Sequence, residues 1–237
     1  MTIRKPLLLL VLMFATLRAW SVDLLTEEDP PNNMKRDGRI VGDATDKLEE
    51  AFKRVNAASH IDMMPWSRAY QSALNSADAC VFSTARTPDR ENQFQWVGPI
   101  AASDWTLYTR KDNATKIAKI DEVRKETIGG YSQDVISSWL SSHGYHVDAA
   151  LSDDGNPQKL LHNHFNYWAS ARSRAAALLA KQGLTDSIVP VLSFGHTDLY
   201  LACNPGVSKD LVQKLNEALK KMAADGTSAA IDARYPQ

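Results

Sequence analysis

The chain has 237 residues, of which 27 are basic and 28 acidic, for a formal net charge of −1. No basic stripe is present, which argues against nucleic acid as a partner. With 44 % hydrophobic residues the chain has ample material for buried cores, which argues against disorder.

In chain order, Arg4 and Lys5 form a positive segment ahead of the apolar run Pro6 to Leu17, and Ala19, Trp20 and Ser21 fit a small-x-small cleavage pattern. Residues 1–21 therefore read as a secretory signal peptide, too short for a membrane anchor. Its removal takes away Arg4, Lys5 and Arg18 and no acid, leaving 24 basic and 28 acidic residues, a net charge of −4. No later run approaches transmembrane length, so the mature chain is expected to be soluble.

Val22 to Leu25 predicts a short buried strand. Val41 to Asn56 predicts a helix with Ala44, Leu48, Ala51, Phe52 and Val55 on one face. Ile61 to Met64 is strand-like, and Pro65 opens a second helix at its first position, running through Leu74. Ala79 to Thr84 is an apolar, β-branched run expected as a buried strand. Thr106 to Thr109 and Thr127 to Gly130 are further strands, the latter followed by a helix capped by Ser132 and stopped by Gly144. Tyr145 to Ala149 and Phe165 to Ala169 are strands separated by the short helix Pro157 to Leu161. Ala171 to Gln182 is a helix ending at Gly183. Ile188 to Leu192 and Leu199 to Ala202 are strands, and Ser208 caps the helix Lys209 to Ala224, ahead of a last helical piece, Ser228 to Ala233. This alternation predicts an α/β protein with parallel or mixed sheets covered by helices.

Cys80 and Cys203 both lie in apolar, strand-like runs. They read as two buried small hydrophobes, with a disulfide as the alternative that an exported protein allows. His162 and His164 are read as part of a solvated loop rather than a metal pair, and no metal or cofactor is expected. The acidic run Glu27, Glu28, Asp29 reads as a solvated loop. No nucleophile elbow, phosphate loop or dinucleotide fingerprint occurs.

Several segments in one order carry a resemblance: TEEDPP and DGRIVG near the start, MPWSRAYQSAL, FSTARTPDRENQFQWVGPI, LYTRKD, the IGGYSQD turn, and LYLACNPGVSKDLVQKLNEALKKMAADGT at the end. Together they resemble family 3 of the bacterial extracellular solute-binding proteins. The resemblance implies a two-lobed, type II periplasmic-binding-protein-like fold, each lobe a mixed sheet flanked by helices. Lobe 1 would comprise residues 22–98 and 197–237 and lobe 2 residues 99–196, with the ligand in the cleft at the strand ends. It further implies a monomeric periplasmic receptor, not an enzyme, that takes an amino acid or related carboxylate and serves an inner-membrane ABC permease. Two alternatives are a dehydratase-like periplasmic enzyme on the same scaffold and a ligand-sensing accessory protein.

In the family the Arg of the Thr-Pro-x-Arg motif grips the ligand carboxylate, which the resemblance carries to Arg90. A guanidinium fork makes two parallel bonds to a carboxylate. Thr87 and Pro88 would open a helix whose free N–H groups add to that anion site; the plain alternative is a surface Arg paired with Asp89 or Glu91. Arg86 either contacts ligand or braces the loop. Ser83 and Thr84 face the cleft or cap the strand end. Tyr131 and Ser132, at a strand-to-helix turn, would present N–H groups from lobe 2. Trp66 would stack on ligand or pack in the lobe interface, and Trp168 would line the opposite wall. Two departures stand out: Asp29 occupies the place of an expected aromatic, and the stretch Asn166 to Ala171 has no acid to hold an α-ammonium, a role that Asp29 could take by approaching from lobe 1.

Overall fold

A computed structural model describes residues 21–235. The signal-peptide reading falls outside them apart from Ser21. The first lobe is built on β1 (Val22–Thr26), a small hairpin of β2 (Met34–Arg36) and β3 (Arg39–Val41), α1 (Asp43–Arg54), β4 (Ser59–Met63), α2 (Trp66–Asn75) and β5 (Ala79–Ala85). The chain then enters the long strand β6 (Gln95–Arg110) and builds the second lobe from β7 (Thr127–Tyr131), α3 (Val135–Ser142), β8 (His146–Ala150), α4 (Asn156–Leu161), β9 (Tyr167–Ala171) and α5 (Arg172–Gln182). A second long strand, β10 (Ile188–Cys203), returns to the first lobe, which α6 (Lys209–Ala224) and α7 (Thr227–Asp232) complete.

The strand order is β4-β1-β5-β10-β6-β9-β7-β8. Outer strands within each lobe pair parallel, while β10 pairs antiparallel with β5 and β6. β6 and β10 run together from the Ile188–Arg110 pair to the Cys203–Gln95 pair, so one two-stranded ribbon belongs to both lobes. The expected short strands at 106–109, 188–192 and 199–202 are segments of these two 16-residue strands. The register shifts near Pro190, Gly195 and Tyr200 break the apolar pattern along them and hide their continuity in the sequence. At Gly195 a Cβ would lie 2.4 Å from the Trp105 ring, so only glycine allows that approach.

The predicted face of α1 packs as expected: Ala44, Leu48, Ala51 and Phe52 are buried in one cluster with Leu215, Leu219 and Met222 of α6. Burial of a side chain such as Leu48 or Phe52 stabilises by about 1.5–3 kcal/mol. The second lobe packs Trp105, Leu107, Ile128, Ile136 and Leu140 on one side of its sheet. Tyr108, Leu160, Phe165 and Trp168 form its other cluster.

Three sequence expectations need correction. Cys80 and Cys203 are bonded to each other, with their Cα atoms 3.9 Å apart, because β5 and β10 place them as direct cross-strand partners. Helix α3 is capped by Asp134, whose carboxylate accepts from the N–H groups of Ile136 and Ser137, and not by Ser132. Pro65 stands just before the first residue of α2 rather than inside it. Among the described residues no helix is long and apolar enough to cross a membrane.

Candidate functional site: the cleft between the lobes

The first-lobe wall begins where β1 ends. Glu27 and Asp29 follow that strand, and a tight loop fixes them: Asp29 and Asn33 exchange main-chain hydrogen bonds of 2.8 and 3.1 Å. The Asn33 side chain ties the Glu27 carbonyl to the hydroxyl of Ser83. The loop closes on α1 through Gly42, whose φ of 145° and 2.1 Å clearance from the Asn32 carbonyl to a would-be Cβ exclude a side chain. The carbonyls of Pro31 and Asn32 accept the first N–H groups of α1, so that helix start is already satisfied.

Five polar contacts join this wall to the second lobe. Arg174, in the first turn of α5, donates from Nε to Asp29 Oδ1 at 3.0 Å and from Nη2 to Glu27 Oε1 at 2.8 Å. The Tyr131 hydroxyl, at the end of β7, donates to Glu27. Trp66 Nε1 and Arg90 Nη2 both donate to the carbonyl of Gln133, at 3.1 and 3.0 Å. Gln133 has φ 62°, a left-handed conformation uncommon for a residue with a side chain. A strained residue that bridges two lobes is the kind of feature that collects at working sites.

The ionisable groups here are unusual. Burial pushes Glu27 up to about 7; the Arg174 charge opposes this and the neighbouring Asp29 adds to it. Burial likewise raises Tyr131, Asp134 and Asp153. Burial works against the charge on Arg174, but Asp29 and Glu27 outweigh it and hold the guanidinium charged. Asp153 is buried, accepting from Trp168 Nε1 at 2.8 Å, the Ser170 hydroxyl at 2.6 Å and the Asn156 amide at 2.7 Å.

Beside these contacts lies a cavity of about 560 Å³, within the range typical of small-molecule sites. Glu27, Glu28, Asp153 and Asp154 face it, against Arg174 and Lys181. Its lips are apolar, with Met63, Met64, Pro65 and Trp66 opposite Leu151 and Leu178. Leu151 is 93 % exposed, the one large hydrophobic side chain so exposed among the described residues. A second cavity of about 540 Å³ lies along the shared β6–β10 ribbon, beside Lys47, Asp104, Arg172 and His196. Among the described residues no cluster of His, Cys, Asp or Glu could hold a metal ion.

Arg90 reaches the cleft but is buried, lying 5.1 Å from the Tyr70 ring centre and bonding the Gln133 and Ala85 carbonyls. Thr87 and Pro88 open a turn and a three-residue 3₁₀ segment, Glu91–Gln93, not a helix with an N-terminal anion site. The Thr87 hydroxyl is buried and has no hydrogen-bond partner. Arg86 is held by Glu91 at 2.5 and 2.7 Å and packs on the rings of Trp96 and Tyr200, so it braces the loop. Thr84 bonds its own strand through Val81. The Ser132 N–H is taken by the Ala150 carbonyl. Trp168 lies in the core beneath Asp153 and away from the cavity. Asp29, Trp66 and Tyr131 stand at the cleft.

Glu27, Arg174 and Asp153 were not anticipated. The acidic run at 27–29 is not a uniformly solvated loop: Asp29 is buried and Glu27 half-buried, each paired with Arg174, while Glu28 is exposed. Arg174 carries no signal in the sequence beyond being a charge in the first turn of an Ala-rich helix. Asp153 arrives from the segment before α4 and lies beside β9, where it accepts from the Ser170 hydroxyl.

Two lobes joined by a shared ribbon, with charged and aromatic groups meeting in the cleft between them, define a solute-binding protein of the type II periplasmic class. Residues 22–237 match the bacterial extracellular solute-binding proteins, family 3, and the chain belongs to that family. No curated protein matches the sequence. Among solved structures, a histidine kinase sensor domain with similarity to periplasmic binding proteins is 16 % identical at TM-score 0.83, covering 92 % of this chain and 96 % of that one. The periplasmic binding protein of an arginine transport system from Legionella pneumophila is 19 % identical at TM-score 0.76, covering 91 % and 99 %. The GluR0 ligand-binding core from Nostoc punctiforme, in complex with L-glutamate, is 15 % identical at TM-score 0.76, covering 90 % and 98 %.

Proposed function

We propose that the protein is a periplasmic receptor that closes its lobes, residues 22–98 with 197–237 against residues 99–196, on a small amino-acid-like solute bearing a carboxylate. It would then present that solute to an inner-membrane ABC permease, with no chemical step. The observation that carries this reading is Arg90: a buried guanidinium at the cleft whose contact with the other lobe is to a neutral main-chain carbonyl. A carboxylate arriving between the lobes would replace that contact by a charge-assisted pair, which is stronger. Trp66, sharing the same carbonyl, would move with it.

The test is a thermal-shift screen of amino acids, polyamines and small carboxylates on the wild type and on Arg90→Ala. A carboxylate that raises the melting temperature of the wild type and not of the variant supports the reading. If every stabilising carboxylate acts equally on both, Arg90 is not the grip. Uptake of the identified solute in cells lacking the protein separates import from a sensing role.

A further inference from the structure

The guanidinium of Arg174 is placed as a bound ligand would be. It comes from one lobe, and both of its ionic partners come from the other: Asp29 on Nε and Glu27 on Nη2. Its third neighbour is the Tyr131 ring, with Cζ 5.0 Å from the ring centre, within the range of a cation–π contact. Only 13 % of the Arg174 side chain is exposed, and 6 % of Asp29. Among the described residues, both ion pairs that span the cleft belong to Arg174.

We propose that Arg174 is a tethered guest: its side chain fills a cation-binding site made by Glu27, Asp29 and the Tyr131 ring, so that the solute-free protein closes on itself. The solute admitted to this cleft is then one with a guanidinium or ammonium group that displaces Arg174. The inference deepens the binding role proposed above and rests on it for the statement about solute.

Charge balance supports the choice of a cation. With Arg174 withdrawn, the cavity faces Glu27, Glu28, Asp153 and Asp154 with Lys181 as the one remaining base. Closing on a neutral or anionic guest would leave Glu27 and Asp29 with only the Tyr131 hydroxyl and the Asn32 amide as partners and no counter-charge, and enclosing a carboxylate without a counter-charge is unfavourable. A guest with its own cation restores the pair and leaves room for an apolar stem against Met63, Met64 and Leu178. Self-closure also lowers apparent affinity, because the binding-competent open form is only a fraction of the population.

Chemical rescue tests the proposal with methylguanidinium, which carries no carboxylate and therefore reports on this site independently of Arg90. In Arg174→Ala, millimolar methylguanidinium should raise the melting temperature by about 3–8 °C and restore the smaller radius of gyration seen by X-ray scattering. The wild type should not respond at the same concentration, and adding Glu27→Gln and Asp29→Asn to Arg174→Ala should abolish the response. Equal responses from wild type and Arg174→Ala, or a response that persists without the two carboxylates, would overturn it. Should Arg174→Ala not fold, Glu27→Gln/Asp29→Asn in the native chain must open the lobes by scattering; lobes that stay closed refute the tethered guest. Rescue together with carboxylate binding that ignores Arg90 would remove the Arg90 reading and leave this one standing.

Discussion

The Tyr131 hydroxyl lies 2.7 and 2.6 Å from the two carboxylate oxygens of Glu27, across a cleft and 104 residues away in sequence. Tyr131 is buried and Glu27 half-buried, and burial raises the pKa of both. The pair is thus a hydrogen bond to a carboxylate shielded from water, the stronger kind.

Tyr131→Phe keeps the ring under Arg174 and deletes that bond. Stability in urea should fall by about 1.5–3 kcal/mol, and the lobes should open more readily by scattering. An unchanged unfolding midpoint would mean that the hydroxyl contributes nothing across the cleft.

Glu27 makes stability pH-dependent in a definite direction. Its pKa in the folded protein, about 7, exceeds its ordinary 4.5, so the folded state holds the proton more tightly. The resulting stabilisation is fully present below pH 4.5 and is lost as pH rises through about 7. Burial raises Asp43, Asp134 and Asp153 too, and they act in the same direction. The measurement is therefore the difference between wild type and Glu27→Gln across pH 4.5–8. Wild type should gain on the variant as pH falls, and parallel curves would contradict the assignment.

The Cys80–Cys203 bridge closes a loop with a sequence separation of 123 residues between β5 and β10. Replacing both cysteines by alanine should cost about 2–5 kcal/mol, read from equilibrium denaturation. Dithiothreitol should destabilise the wild type and leave the double variant unmoved.

Gly42→Ala places a methyl group 2.1 Å from the Asn32 carbonyl, at a φ of 145°. The loop that positions Asp29 must then shift. A loss of more than about 2 kcal/mol is expected, with a change in near-ultraviolet circular dichroism where Trp66 reports on the cleft. A silent substitution would show that this loop does not depend on Gly42.

Local pattern decided much of the architecture. The apolar face of α1 reads off as Ala44, Leu48, Ala51 and Phe52 because a helix repeats every 3.6 residues, and those four residues are buried together. Gly183 and Ser208 mark helix ends for reasons contained in their own chemistry, left-handed backbone and side-chain capping. The ordered motifs from TEEDPP to KKMAADGT were enough to reach the family and hence the two-lobed fold. The cleft was legible only in outline: Asp29, Trp66, Arg90 and Tyr131 are there, while Arg86, Thr84 and Trp168 face elsewhere.

Tertiary structure alone decided the rest, because pairings between distant segments leave no periodic trace. Nothing in YWASARSR indicates that Arg174 will meet Glu27 and Asp29, 147 and 145 residues earlier. That contact exists because β6 and β10 carry one lobe over the other and turn the first helical turn after β9 toward the end of β1. The same ribbon aligns Cys80 with Cys203, and the return of the chain before α4 brings Asp153 under the strand where no acid was found. Whether an acidic run is solvated or buried depends on what covers it, and here the other lobe covers Glu27 and Asp29 while Glu28 stays exposed.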